Sequence, residues 1–231
     1  KMIRELLTPG PGSLPYTIET LVVTRDWLEE WQTNIPVGLK TIEVTATELR
    51  QVSLQQEPNR ALALVHQMEY RPDVTRLRES LSLGLENIQD PGNMGAIIRI
   101  ADWFGIRDII CSGECVELYN PKVIQSTMGS FLRVHVHCTD LPDLIGDIRK
   151  QGDYQVFGTG SQGANIYKSK LPQQGLILLG NESRGLSGSL MELADRVVSI
   201  PFYDPSMHPE SLNVATATAI LCAEFRRQAY P

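Results

Sequence analysis

Three stretches rich in Gly and Asn hold polar side chains that a packed interior would not tolerate without partners. They are Glu86-Asn-Ile-Gln-Asp-Pro-Gly-Asn-Met-Gly-Ala-Ile-Ile-Arg99, Leu179-Gly-Asn-Glu-Ser-Arg-Gly-Leu186, and Ile200-Pro-Phe-Tyr-Asp204 with Glu210-Ser-Leu-Asn-Val-Ala215. In the first, Asp, Pro, Gly and Asn make a turn, and Gly95 allows a second backbone to come close. The second follows the most apolar run in the chain, Leu176-Ile-Leu-Leu179, so Asn181 and Glu182 are expected at an interior crevice. A carboxylate there is costly unless paired, and Arg99 and Arg184 are the candidate cations. In the third, Ser211 is expected to cap the last helix, with Asn213 in its first turn. Taken singly, each stretch also fits a plain turn or helix cap. Together they fall where the ligand of an open α/β sheet sits, beyond the carboxyl ends of the strands.

Other constellations carry less. Gly158-Thr-Gly-Ser-Gln-Gly163 is a literal G-x-G-x-x-G after a strand, with Glu182 about 20 residues on. The dinucleotide fingerprint also needs a helix opening at the glycines. Residues 164–174, with Lys-Ser-Lys-Leu-Pro172-Gln-Gln, show no helical apolar stripe, so a nicotinamide dehydrogenase is set aside. Cys111 and Cys115 lie near His135, His137 and Cys138, but the Cys-x-x-Cys knuckle of a zinc site is missing. Buried cysteines and half-exposed histidines alternating along a strand account better for them, and no metal is expected. The chain has neither a Walker P-loop nor a G-x-S-x-G elbow.

The elements that must position these residues fall into two groups. Residues 1–72 read as a small α/β domain, with strands at Leu21–Thr24, Thr41–Val44 and Ala61–Val65 and helices at Asp26–Trp31 and Ala46–Val52. Residues 73–80 read as a charged linker. From Leu81 on, longer β–α units alternate. Strands are expected at Ser82–Glu86, Arg107–Cys111, Val134–Cys138, Gln155–Gly158, Leu176–Leu179 and Arg196–Pro201. Met94, Ile97, Ile98 and Ala101 fall at i, i+3, i+4 and i+7 and line one helical face. Further helices are expected at Pro121–Arg133, capped by Asn120, at Asp143–Lys150 and at Leu212–Ala229. Such alternation implies a parallel sheet covered on both faces, with ligands beyond the carboxyl ends of its strands.

The 231 residues, 42% hydrophobic and 21% charged, suit a globular protein of one medium and one small domain. No apolar run approaches the roughly 18–20 residues that span a bilayer, and the first residues lack the apolar stretch of a secretory signal. A cytoplasmic protein with free thiols is expected. The net charge of −6 counts against a nucleic-acid partner, because phosphate contacts need Lys and Arg. The deficit is spread, with 7 basic and 10 acidic residues in 1–75 and 14 and 17 in the rest. A basic patch on one face remains compatible with it.

In this order, Asp90-Pro-Gly-Asn-Met-Gly-Ala-Ile-Ile-Arg99, Gly180-Asn-Glu-Ser-Arg-Gly-Leu186 and Ser211-Leu-Asn-Val-Ala215 resemble the three motifs of the SpoU (TrmH-like) branch of the SPOUT RNA methyltransferases. Asn120-Pro-Lys122 and Met128-Gly129 match a stretch between the first two. The resemblance covers about residues 80–231. More weakly, through Glu5-Leu-Leu7 and Ala61–Val65, residues 1–72 resemble the small substrate-binding domain that often precedes this one, entered part-way so that its first strand is missing. Two positions depart from the pattern: Gln125 stands where many relatives carry Arg, and Ala215 where Ser is frequent.

The resemblance implies an α/β fold: a parallel-sheet catalytic domain, 81–231, threaded at its C-terminal end into a deep trefoil knot and working as a homodimer. It implies methyl transfer from S-adenosylmethionine to a ribose 2′-hydroxyl of structured RNA, ribosomal or transfer. The donor would lie among Thr159, Gly160, Leu179, Gly180, Asn181, Ile200 and Leu212. The catalytic group would be Arg99, Asn93, Glu182, Ser211 and Asn213. Arginine is an unlikely base in any protein. Arg99 is therefore expected to orient RNA phosphate and stabilise developing charge, held by Glu182, while Asn93, Ser211 and Asn213 fix the ribose. One alternative of another class is an RNA-binding module of the same fold that has lost catalysis. S-adenosylmethionine binding would separate the two.

Overall fold

The computed structural model describes residues 1–53, 60–202 and 211–229. These form two compact units, Lys1–Glu69 and Tyr70–Pro231. In the first unit, α1 (Met2–Leu7) and α2 (Arg25–Trp31) cover a sheet of β1 (Ile18–Thr24), β2 (Lys40–Val44) and β3 (Ala61–Val65). β1 is central, parallel to β2 and antiparallel to β3. Leu7, Leu21, Val23 and Trp27 make its core. α3 (Ala46–Val52) starts at Thr45, which shares a capping box with Glu48.

Residues 73–80 do not form a linker. Asp73 caps α4 (Val74–Arg78), Leu77 is buried in the second unit's core, and Arg76 grips Asp108 through bonds of 3.0 and 2.7 Å. The charge density that suggested a solvated connection belongs to a helix whose apolar residue and one cation point inward.

The second unit is a parallel sheet in the order β6 (His135–Cys138), β5 (Asp108–Cys111), β4 (Leu81–Leu85), β8 (Gly175–Leu179), β7 (Val156–Asn165), β9 (Arg196–Ser199). The chain builds outward from β4 to β6, crosses to β7, and returns to place β8 between β4 and β7. All five residues of β4, β5's four and β8's five are buried, as strands covered on both faces require. α5 (Pro91–Trp103) buries Met94, Ile97, Ile98 and Ala101, the expected face. α7 (Leu141–Arg149), capped by Asp140, and the short α8 (Gly188–Leu193) pack on the other side, with Leu144, Ile145, Ile148 and Leu190 in one core.

Three elements differ from expectation. α6 spans only Pro121–Thr127, because Met128 and Gly129 turn left-handed (φ 53° and 100°) before a short 3₁₀ turn at Ser130–Leu132. β7 runs well past Gly158, carrying Gly160 and Gly163 inside an extended strand rather than a loop. A Cβ on Gly163 would lie 2.5 Å from the Val198 carbonyl carbon, so that glycine admits the neighbouring strand and opens no helix. The last helix, α9, starts at Val214 and not at Leu212.

His137 is 1% exposed, not half-exposed. It reaches Asp108 through Nε2 at 2.9 Å, and its Nδ1 lies 3.1 Å from the Tyr70 carbonyl. A buried carboxylate on β5 needs cationic or donor partners, and β6 supplies one. Cys111 and Cys222 are buried, whereas Cys138 is exposed. Among the described residues no group of three or more His, Cys, Asp or Glu is arranged to hold a metal ion.

Candidate active site

The register of two strands sets the site. Leu85 on β4 faces Leu179 on β8, and the ladder extends to the Glu86 amide on the Leu179 carbonyl at 2.9 Å. The loops after β4 and β8 therefore leave the sheet side by side, at the point where the strand order reverses. That is where open α/β sheets bind ligands.

Each loop is shaped locally. Asp90 caps α5, with Pro91 at its first position, and its Oδ1 accepts the Asn93 amide at 2.8 Å. In the second loop Asn181 and Gly185 exchange two backbone bonds of 3.1 and 2.9 Å, and Asn181 Oδ1 accepts the amides of Ser183 and Arg184. Gly185 sits at φ 71°, open to glycine at little cost. A Cβ on Gly180 would collide with the backbone of Gly185 and Leu186, so the turn closes only over glycine.

The side chains of three distant segments then join. Asn93 Nδ2 donates to Glu182 Oε1 at 2.7 Å, and Asn213 Nδ2 donates to Asn93 Oδ1 at 2.9 Å. Asn181 Nδ2 donates to the Asn87 carbonyl at 3.0 Å and lies 3.4 Å from Glu182 Oε2. Asn213 has a second duty: its Oδ1 accepts the amides of Ala215 and Thr216 and so caps α9 (Val214–Ala229). That corrects the expectation that Ser211 is the cap. Ser211 lies exposed two residues earlier. At the other end of α9, Arg226 donates to the carbonyls of Phe104 and Gly105 after α5. The two helices are thus tied at both ends, and Asn213 is held against Asn93.

Arg99 departs from expectation. It lies exposed on α5 and, among the described residues, makes no ion pair or hydrogen bond. Glu182 holds Asn93, not the guanidinium, because Asn93 at the start of α5 lies nearer the β8 loop than Arg99 two turns on.

Leu179, Gly180 and Ile200 lie at the carboxyl ends of β8 and β9, and Thr159 and Gly160 lie inside β7 where it passes the end of β8. Thr159 Oγ1 donates to the Leu178 carbonyl at 2.8 Å. β7 pairs with β9 at Thr159 and again at Ala164, both opposite Val198, so residues 160–163 stand out of register. Leu212 is 50% exposed beside Asn213. Tyr203, Asp204 and Glu210 lie outside the described residues.

Sequence reading missed a polar cavity of about 260 Å³ bordered by Asn87, Gln89, Asn181, Ser183 and Arg184. It also missed a groove of about 540 Å³ beyond β5 and β6, bordered by Glu86, Glu114, Cys138 and Asp140 among others. The signal for the first was present: Asn87, Gln89 and Arg184 fall within the two motif loops.

Residues 80–223 match the model of the SpoU rRNA Methylase family. The 23S rRNA (guanosine(2553)-2′-O)-methyltransferase RlmP of Bacillus subtilis is 28% identical over 226 residues, covering 95% of this chain and 88% of that protein. The chain spans about half the length of other curated relatives it matches. A TrmH-family protein from Porphyromonas gingivalis superposes with a TM-score of 0.85 at 32% identity, covering 99% of this chain and 87% of that one. The SpoU methyltransferase AviRb from Streptomyces viridochromogenes, solved with its cofactor AdoMet, gives 0.78 at 27%, covering 93% and 84%.

Proposed function

The chain belongs to the SpoU rRNA methylase family and is an S-adenosylmethionine-dependent RNA 2′-O-ribose methyltransferase; from that premise we propose that its substrate is ribosomal RNA and that the Asn93–Glu182–Asn213 junction is its catalytic centre. The observation that carries the proposal is that junction: side chains 89 and 120 positions apart, hydrogen-bonded at 2.7 and 2.9 Å at the switch point of the sheet.

The residues present suit S-adenosylmethionine. Ile200 and Leu212, beyond the buried end of β8 at Leu179, offer apolar surface for a ring. The out-of-register backbone at 160–163 offers amides and carbonyls for an adenine edge. Thr159, Gly160 and Asn181 border the same end of the sheet. When bound, the cofactor supplies an electrophilic methyl on its sulfonium.

The chain's own residues deal with the other reactant. A ribose hydroxyl is a weak nucleophile and must be brought within about 3 Å of the methyl carbon, in line with the bond that breaks. Asn93 and Asn213, each fixed at both ends of its amide, are rigid enough to orient the ribose, with Ser211 beside them. Glu182 sets the direction of the Asn93 amide. Arg99 stabilises the negative charge growing on O2′ as the hydroxyl proton passes to solvent, and positions the adjoining phosphate. That it has no ion pair or hydrogen bond among the described residues supports a role completed by RNA.

We place this chemistry in a homodimer, in the cytoplasm. Trp103 is 85% exposed on α5, one turn beyond Arg99, and Met128 is 53% exposed after α6, which supports a second copy covering that face. We also assign a deep trefoil knot to the C-terminal segment. The insertion of β8 between β4 and β7, and the return of the chain from β9 to Asn93, support that threading. Residues 1–69 we assign to RNA-substrate binding, since the match to RlmP extends through them.

The test is Arg99→Ala, assayed by methyl transfer to ribosomal RNA from a strain lacking the gene. Turnover should fall by about 10²–10³-fold with RNA still bound. Near-wild-type turnover by a variant that binds RNA would overturn the role of Arg99, and methylation of transfer RNA alone would overturn the substrate.

A further inference from the structure

The cavity between the two motif loops is bordered by exposed polar side chains and one buried acceptor that the fold does not use. Asn181 is fully engaged, its Nδ2 on the Asn87 carbonyl and its Oδ1 on the Ser183 and Arg184 amides. Its neighbours are not. Among the described residues the side chains of Gln89, Ser183 and Arg184 have no hydrogen-bond partner. Asn87 Oδ1 is buried with none either. Asn87 also holds a left-handed backbone (φ 57°), a conformation that costs energy in a non-glycine residue and collects at functional sites. A buried acceptor left unpaired is a standing penalty. Both features make sense if a ligand completes the hydrogen bonding.

We infer that this cavity, of about 260 Å³, receives the base of the nucleotide being methylated and that Arg184 and Asn87 select guanine. The inference rests on the methyltransferase reading of the adjoining junction, to which Asn181 connects the cavity through Glu182. A guanidinium offers a fork of donors and no acceptor. Arginine paired to O6 and N7 is the commonest specific contact to guanine. Along the guanine edge those two acceptors are followed by the N1–H and N2–H donors, which suit the free Asn87 Oδ1. Adenine interrupts the order with its N6 amino group beside N7. Uracil has no N7 and can satisfy only one arm of the fork. Cytosine carries two acceptors and a donor in the reverse order, so it tests whether sequence along the edge matters.

The experiment titrates the full-length protein, saturated with S-adenosylhomocysteine, with each of the four nucleoside 5′-monophosphates, following side-chain amide and guanidinium N–H signals by NMR. Guanosine monophosphate should bind about tenfold to a hundredfold tighter than the other three and move the Asn87 and Arg184 signals. Two variants follow. Arg184→Lys keeps the charge but loses the fork. Asn87→Gly keeps the left-handed backbone but loses the acceptor. Each should bring guanosine monophosphate down to the level of the others while leaving uridine monophosphate unchanged. Equal binding of all four, a preference for cytidine monophosphate, or variants that keep the preference would overturn the inference. Transfer of labelled methyl groups to ribosomal RNA is run in parallel. Wild-type transfer without base preference sinks the pocket alone, whereas absence of transfer sinks the reading beneath it.

Discussion

Asp108 is fully buried at the start of β5, yet its carboxyl is held at about 2. Burial alone would raise it; hydrogen bonds from His137 and Arg76 and the Arg76 charge outweigh that cost. A depressed carboxyl stabilises the fold fully above its unfolded value, near 3.9, and loses that contribution as pH falls towards the folded one. Acid sensitivity traceable to Asp108 should therefore appear between about pH 4 and about pH 2. Asp108→Asn should cost about 1.5–3 kcal/mol near neutrality, because Arg76, 38% exposed and so partly solvated, loses its charged bidentate partner, and should flatten stability across that acid window. Urea unfolding as a function of pH measures both. None of this was legible in the sequence, where Arg76 sat in an apparent linker and His137 in an apparently half-exposed strand. Glu182 and Asn213 were legible as polar groups in loops after apolar strands, and Asn93 through the resemblance of its motif. The partner of Glu182 was not: a motif gives residue types, and only the offset between α5 and the β8 loop decides that the carboxylate meets an amide before a guanidinium.

α5 shows how an element carries the site. Its apolar period fixed which face is buried, and Asp90 and Pro91 fixed where it begins. Gly95 has a further duty: a Cβ there would run into the Ser126 side chain and come within 3.0 Å of the Thr127 amide. Gly95→Ala should push α5 and α6 apart, lower stability by about 1–3 kcal/mol, and reduce turnover more than that loss explains, since Asn93 rides on the same helix. Thermal unfolding compared with methyl transfer on folded protein checks it. The early end of α6 was hidden because apolar residues continue through Phe131 and Leu132 at helical spacing. The turn is made by left-handed Met128 and Gly129, a pair with no proline to announce it. The G-x-G-x-x-G run opens no helix, as the residues after it suggested, and its extended form depended on how closely β9 approaches Gly163.

For the whole molecule, alternation of strand and helix was enough to expect a parallel sheet, and the Leu176–Leu179 run enough to place that strand centrally. The neighbours of each strand were beyond reach, since buried strands of Leu, Ile and Val look alike whichever edge they join. The proposed homodimer rests on the exposed Trp103. Trp103→Arg should shift sedimentation from dimer to monomer and lower methyl transfer, with the fold retained; a dimer unchanged by it would place the interface elsewhere. The strand order also has a consequence in time. Leu81 must find Gly175 and Leu85 must find Leu179, so the central ladder closes over a sequence separation of 94 (175 − 81 and 179 − 85) while β4–β5–β6 zips up locally. Long-range closure of this kind is slow. A refolding or newly synthesised chain should acquire most of its helix first and its cofactor affinity last, the crevice being the final thing to come into existence.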